Sequence, residues 1–199
     1  MFRLVGWHMA HLAAFSGRQS RKPFWLWTAL VIGLNLAAMV IVMVPVLFNT
    51  ITRLEDFAAR NPDQVTRTVG PGHYSVRVEG YHPELMPDFS AFFAVFGIAA
   101  LVTILLLAAP VARRLHDTGR TGLWGLLPAG LLLAGLIGMN QLFGQAIFRD
   151  EPPLGLFLGL FLTNLAYLVS LGVLIVLLAQ PGTAGDNRFG HPPSREPPT

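Results

Sequence analysis

Residues 24–48 read FWLWTALVIGLNLAAMVIVMVPVLF, a stretch without one charged side chain. A helix rises about 1.5 Å per residue and a bilayer's hydrocarbon core is about 30 Å thick, so about 20 apolar residues suffice to cross it. This stretch is long enough, with residues to spare. It opens on Phe24, Trp25 and Trp27, just after Arg21, Lys22 and Pro23. Basic, then aromatic, then aliphatic is the order met on passing from water through headgroups into hydrocarbon.

Three further uncharged runs have the same character: 89–109, 123–143 and 154–179. Trp124 marks the start of the third. That run also carries Pro128, four glycines, Asn140 and Gln141, which leaves two readings, a kinked crossing or a re-entrant segment. The fourth is a full span despite Asn164. Composition agrees. Hydrophobic residues make up 53% of the 199 and charged residues 13%, against about 25% charged in an average soluble protein. So few charges cannot cover a soluble surface, whereas lipid solvates apolar faces. The fold expected is an all-α integral membrane protein of four transmembrane helices, one membrane domain over 1–199.

Orientation follows from the basic residues. Residues 1–22, the segment between the second and third runs, and the tail 180–199 hold nine Lys and Arg against three acidic residues. The opposite side, residues 49–88 and the turn near 150, holds five against eight. Lys and Arg near span ends mark the cytoplasmic face, so both termini are expected inside and the 49–88 loop outside. Within that loop Val65–Val69 and Tyr74–Val78 alternate at period two around Gly70-Pro71-Gly72-His73, which reads as a β-hairpin. Such a hairpin is marginal alone and is expected to pack on the membrane or on a partner. Its alternative is a mobile acidic loop. Residues 1–15 lack a clean signal-peptide core, because His8 and His11 interrupt the apolar stretch. They read as a short surface helix with Phe2, Val5, Met9 and Leu12 on one side, or as a frayed end. The Gly- and Pro-rich tail is expected to be extended, with its last residues disordered.

Several chemistries are excluded or disfavoured. Without cysteine there are no disulfides, thiolate metal sites or cysteine nucleophiles. The formal net charge is only +3, and the basic residues sit at span ends rather than in an aromatic-interleaved patch, which argues against nucleic-acid binding. No Walker loop, dinucleotide fingerprint or HExxH motif occurs.

Three polar segments stand out on the expected cytoplasmic side. The first runs Phe15-Ser16-Gly17-Arg18-Gln19-Ser20-Arg21-Lys22-Pro23-Phe24-Trp25. The second runs Arg113-Arg114-Leu115-His116-Asp117-Thr118-Gly119-Arg120-Thr121-Gly122-Leu123-Trp124. The third runs Pro181-Gly182-Thr183-Ala184-Gly185-Asp186-Asn187-Arg188-Phe189-Gly190. Ser20 and Thr121 are suited to cap the helices that follow, and Pro23 suits a first helical turn. Asp117 and His116, followed by Gly119, fit a pinned tight turn, with Asp117 bonded to nearby N–H groups or paired with Arg113, Arg114 or Arg120.

With these motifs the chain resembles the bacterial family called domain of unknown function 805, small inner-membrane proteins. The resemblance rests on Phe15-Ser16-Gly17-Arg18 with Ser20-Arg21, on Arg113 through Arg120, and on Pro181-Gly182 with Gly185 and Asn187-Arg188-Phe189-Gly190. It frames nearly the whole chain. The outer loop is longer than in shorter members, and the apolar stretch after Trp124 extends into two segments. The resemblance implies a bacterial inner-membrane location and brings no reaction with it.

The residues leave several roles open. The reading preferred is a non-enzymatic interaction protein whose motif cluster is a structural staple and a site for lipid headgroups, anionic ones included, for a protein partner, or for a second copy. The candidates are Gly17, Arg18, Ser20, Arg21, Arg113, Arg114, His116, Asp117, Gly119, Arg120, Pro181, Gly182, Gly185, Asn187, Arg188, Phe189 and Gly190. No catalytic residue, metal or cofactor is assigned. One alternative is an enzyme acting on a phosphate-bearing or lipid substrate at that face. His116-Asp117 is a metal-binding pair type, but further ligands are sparse, and adjacent His and Asp are poorly placed for a Ser–His–Asp relay with Ser16 or Ser20. The other alternative is an oligomeric pore, although the spans carry only neutral polar groups: Asn35, Thr103, Asn140, Gln141, Thr163, Asn164 and Ser170. These read as interhelical hydrogen bonds, with Gly155, Gly159 and Gly172 admitting close helix contacts. Reporter fusions at both termini and in the 49–88 loop are expected to be cytoplasmic, cytoplasmic and periplasmic. An active periplasmic reporter at residue 199 would overturn the four-span topology.

Overall fold

The computed structural model describes residues 2–80, 82, 85, 89–146 and 154–193. The expected disorder of the tail's last residues, and Glu84, Asp88, Arg149, Asp150, Glu151, Arg195 and Glu196 of the charge count, lie outside them. The elements in chain order are α1 (Phe2–Ala10), α2 (Arg21–Arg60), β1 (Val65–Gly70), β2 (His73–Val78), α3 (Phe89–Asp117), α4 (Leu126–Ala146) and α5 (Leu154–Ala179). Among the described residues four helices are long and apolar enough to cross a membrane, as the apolar runs require. Two of them outrun their apolar runs, while α4 is displaced by three residues and α5 coincides with its run. Forty residues give α2 a length of roughly 60 Å, about twice a hydrocarbon core, and α3 continues as helix through Arg113, Arg114, His116 and Asp117. The residues read as a tight turn therefore form the last turn of a helix. The third run is one helix from Leu126, preceded by a 3-10 turn over Gly122–Gly125.

The chain divides into two compact units, Met1–Asn35 with Phe89–Thr199, and Leu36–Asp88. In the smaller unit the second part of α2 leads through a 3-10 turn at Pro62–Gln64 to the hairpin. The strands pair antiparallel from Val65 opposite Val78 to Gly70 opposite His73. Pro71 and Gly72 form the reversal, and Gly72 has φ 73°, the positive value that a type II turn needs after a proline. The Glu79 N–H donates to the Gln64 carbonyl at 2.9 Å, tying the far end of the hairpin to the 3-10 turn.

In the larger unit α4 packs along α5 and against α3. The glycines that admit this contact are on α4. A Cβ at Gly138 would lie 3.0 Å from Leu160, and one at Gly135 would lie 3.7 Å from Asn164. Gly155, Gly159 and Gly172, expected in that role, face no neighbour within 4 Å of an added Cβ. Their helix turns them elsewhere, which spacing along the chain could not reveal. Of the polar residues in the spans, Asn35 bonds across helices, donating from Nδ2 to Thr103 Oγ1 at 2.7 Å and to the Ala99 carbonyl at 3.2 Å. Thr163, Asn164 and Ser170 instead donate to carbonyls of their own helix.

A second tie between α2 and α3 follows from a proline. Pro110 lies inside α3 and has no N–H to give the Leu106 carbonyl, four residues back. The indole N–H of Trp27 donates to that carbonyl at 3.0 Å. In lipid an unpaired carbonyl is costly, so a side chain from the neighbouring helix replaces the missing donor.

Leu34, Leu105, Leu127, Leu162 and Leu168 are all more than half exposed, as lipid-facing side chains are. The buried core is small and lies at one end of the helices: Phe24, Leu115, Leu174 and Leu178, with Val111 and Leu177 against it. The 3-10 turn closes on that end, where a Cβ at Gly122 would lie 2.7 Å from Ala112 Cβ and 3.1 Å from its Cα. Gly122→Val should therefore lower stability by about 1–3 kcal/mol through overpacking, read as a lower melting temperature in detergent. Gly130→Val, where no atom lies within 4 Å of the added Cβ, should leave that temperature within the range of an ordinary surface change.

Candidate functional site

The three polar segments meet at the end of the helices that holds the core. Asp117, the last residue of α3, is 3% exposed. Its Oδ1 accepts from Arg18 Nε at 3.0 Å and pairs with Arg18 Nη2 at 2.9 Å, while Oδ2 accepts from Arg114 Nη1. One carboxylate thus holds two guanidinium groups, one from its own helix three residues back and one from the segment before α2. Arginine's planar fork makes this possible, since each guanidinium still has donors to spare.

Those donors go to backbone carbonyls. Arg114 is fully buried and donates from Nε to the Leu178 carbonyl at 2.9 Å and from Nη2 to the Gln180 carbonyl. The last carbonyls of a helix lack intrahelical partners, so an arginine of α3 caps the end of α5. Arg18 donates from Nη2 to the Thr183 carbonyl and from Nη1 to the Gly185 carbonyl, both at 2.7 Å, and from Nη1 to the Gly190 carbonyl at 3.3 Å. The tail is therefore folded back on α3 rather than extended.

Two glycines show why that return needs glycine. A Cβ at Gly182 would lie 2.7 Å from Asp117 Cγ and 2.9 Å from Oδ1, so any side chain there would push into the carboxylate. Gly119 has φ 76° just past α3. The Arg120 N–H donates to the Leu115 carbonyl at 2.9 Å and the Gly119 N–H to the His116 carbonyl at 3.0 Å, which is a Schellman ending. Thr121 precedes the 3-10 turn but makes no side-chain cap bond, so the helix-stop chemistry resides in Gly119. At the start of α2 the Ser20 carbonyl accepts from the Phe24 N–H at 3.4 Å.

His116 turns away from Asp117. Its Nδ1 lies 3.2 Å from the Gly17 carbonyl, and its ring stacks on Phe189 at 3.9 Å, with planes 6° apart. Asn187 holds the Phe189 turn: Nδ2 donates to the His116 carbonyl at 3.0 Å and to Thr183 Oγ1 at 2.9 Å, and Oδ1 accepts from the Phe189 N–H at 2.8 Å. Arg188 lies over Phe189 and donates to the Gly119 carbonyl at 3.2 Å. His116 and Asp117 thus serve different partners, and neither a metal pair nor a Ser–His–Asp relay is assembled from them. Among the described residues no group of three His, Asp or Glu is placed to hold an ion. Pro181 and Arg21 are exposed, and Arg120 is half-buried.

Arg113 faces another way. Its Nε donates to Gln19 Oε1 at 3.2 Å, its Nη1 donates to the His11 carbonyl at 3.0 Å and to the Ala14 carbonyl, and its guanidinium lies 5.1 Å from the centre of the Trp7 ring. Its Nη2 is buried without an acceptor.

The family model described as a protein of unknown function, DUF805, matches residues 12–191, the span that contains all three motifs. The chain belongs to the DUF805 family. No curated protein and no solved structure matches it.

In this DUF805 protein, several residues of the cluster were invisible as site residues in the sequence. Gln19 is 3% exposed, and its N–H donates to the Arg113 carbonyl at 3.1 Å. Thr183 donates from its N–H to the Asp117 carbonyl at 2.9 Å. His8, which reads as a blemish in an apolar stretch, is fully buried and stacks on Trp27 at 4.6 Å. A polar residue interrupting an apolar helix face was the available signal. Asp117→Asn removes the charge shared by two buried arginines and should cost about 3–5 kcal/mol. Gly182→Ala should loosen the tail with no change of charge. Melting in detergent and protease cleavage within 183–193 should report both.

Proposed function

We propose that this DUF805 protein is a non-enzymatic, multi-pass protein of the bacterial inner membrane with both termini in the cytoplasm. Its motif cluster is a structural lock, and the basic residues left around the lock hold anionic lipid headgroups. The observation that carries the reading is how the motif side chains spend their hydrogen bonds. Arg18, Arg114, Asp117 and Asn187 serve one another and backbone carbonyls of the segments before α2, after α3 and after α5. A catalytic constellation would instead turn such groups toward a place for substrate.

The lock also bears on topology. Arg18 and Asp117 meet the tail at Thr183 and Gly185, which supports an even number of crossings with both end segments on the side of the α3 end. The excess of Lys and Arg on that side supports a cytoplasmic assignment.

Charge supports the lipid reading. Asp117 is the carboxylate for Arg18 and Arg114, and Asp186 pairs with His191 at 2.8 Å. Arg3, Arg21 and Lys22 are exposed. Basic residues at headgroup depth attract anionic lipid by about 1 kcal/mol each. The arginines that would bind lipid are thus the outer ones, while Arg18, Arg113 and Arg114 shape the face. Protein purified in neutral detergent should retain phosphatidylglycerol in preference to phosphatidylcholine. The Arg21→Gln, Lys22→Gln double variant should lose about 2 kcal/mol of that preference, roughly thirtyfold, without unfolding. Equal retention of the two lipids by the unmodified protein would end the lipid reading.

A further inference from the structure

The contacts around His8 form a chain whose direction is set from one end. Arg113 can only donate, so its Nε at 3.2 Å obliges Gln19 to present Oε1. The amide of Gln19 then turns its NH2 to His8 Nε2 at 2.9 Å. His8 Nε2 must therefore be bare and accept, and its proton resides on Nδ1, which donates to the Leu4 carbonyl at 2.9 Å. The arginine thus prescribes both the tautomer and the charge of a histidine two hydrogen bonds away.

A proton on His8 Nε2 cannot be accommodated. It would meet the Gln19 NH2, donor against donor. Flipping the amide to accept it would turn the NH2 onto Arg113 Nε, again donor against donor. The surroundings offer a charged His8 no shelter. The ring is fully buried, stacked on Trp27 of α2 and edge-on to Trp7 at 4.9 Å. The charged and titratable groups that act on it are Arg113 from α3 and His11 just past α1, and both oppose a positive charge. Burial, the largest influence, pushes the His8 pKa below its ordinary value, against the lesser upward pull of the Leu4 carbonyl.

We infer that α1 is a proton-released clasp: it stays docked on α2 and α3 while His8 is neutral, and mild acid frees it. The sign follows from linkage. The docked state holds His8 at a lowered pKa, so docking is fully stable above the ordinary histidine range and weakens as pH falls through it. Trp7 and His11, themselves stacked at 4.6 Å, move with the clasp. Its departure uncovers the Arg113 guanidinium, which already has an unaccepted Nη2. The inference does not depend on lipid binding, and its test contains no anionic lipid.

Hydrogen exchange of the full chain in neutral detergent, corrected for the intrinsic pH dependence of exchange, reads the docking directly. Amide protection over residues 4–12 should fall by up to about tenfold per pH unit below about pH 6.5, while that of α3 and α5 holds. Two variants isolate the relay. His8→Gln keeps a donor and an acceptor but does not titrate, so protection should become insensitive to pH. Gln19→Glu offers carboxylate oxygens to both Arg113 and His8, so it should favour the protonated ring and keep α1 docked at about pH 5.5. If His8→Gln leaves α1 undocked at every pH, the Gln19→Glu result decides. Loss of protection in Gln19→Glu equal to that of the unmodified protein would overturn the clasp, as would an undiminished pH response in His8→Gln.

Discussion

The carboxylate of Asp117 is the group on which the motif-bearing end of this protein depends. It draws in Arg114 from its own helix and Arg18 from 99 residues away, and each arginine carries a further segment with it through backbone carbonyls. Arg114 brings the end of α5, and Arg18 brings the returning tail. Along the spans hydrophobic burial gives little drive for one helix to choose another, because lipid tails are as apolar as the leucines they would replace. Charge-assisted hydrogen bonds to a shared anion are directional and strong, so they can hold three segments in one arrangement.

The same constraint explains contacts that look unrelated. The Leu106 carbonyl, freed by Pro110, takes the Trp27 indole N–H, and the Leu178 carbonyl at the end of α5 takes an arginine Nε. Asn35 adds a donor to the Ala99 carbonyl. In each case a side chain from one helix serves a carbonyl of another, which ties helices together while meeting a need of the backbone. Among the described residues, Asn35 and Trp27 therefore act as interhelical ties, while Thr163, Asn164 and Ser170 return to their own helix.

The proposed function rests on how fully the lock is closed. Arg18 and Arg114, prominent in the motifs, are little available to a ligand, because protein acceptors already occupy them. In the proposed reading the lock offers the outside its exposed rim, in Arg21 and Lys22, and a detachable cover, in α1. The cover lies before residue 12, where the match to the family begins, so the motif lock and the histidine of the proposed clasp belong to different parts of the chain.

Much of the architecture was legible because the bilayer reads composition directly. Uncharged runs of about 20 residues become helices, and alternation around Gly70-Pro71-Gly72-His73 becomes a hairpin whose turn needs a positive φ. The motif glycines were legible as a group, since Gly119 and Gly182 stand where a helix must stop and where a backbone must pass a carboxylate. Partnership was illegible. Asp117 pairs with Arg114 and Arg18, while Arg113 beside them turns to Gln19 and Trp7. A helix sends adjacent residues about 100° apart, so neighbours in sequence serve different partners. The sequence by itself determined four spans, a hairpin and three polar segments, because solvation and turn geometry act locally. Only the tertiary structure decided that α3 ends the lock, that glycines of α4 rather than α5 admit the helix contact, and that Arg113 dictates the protonation of His8, because those outcomes depend on which groups meet across distant parts of the chain.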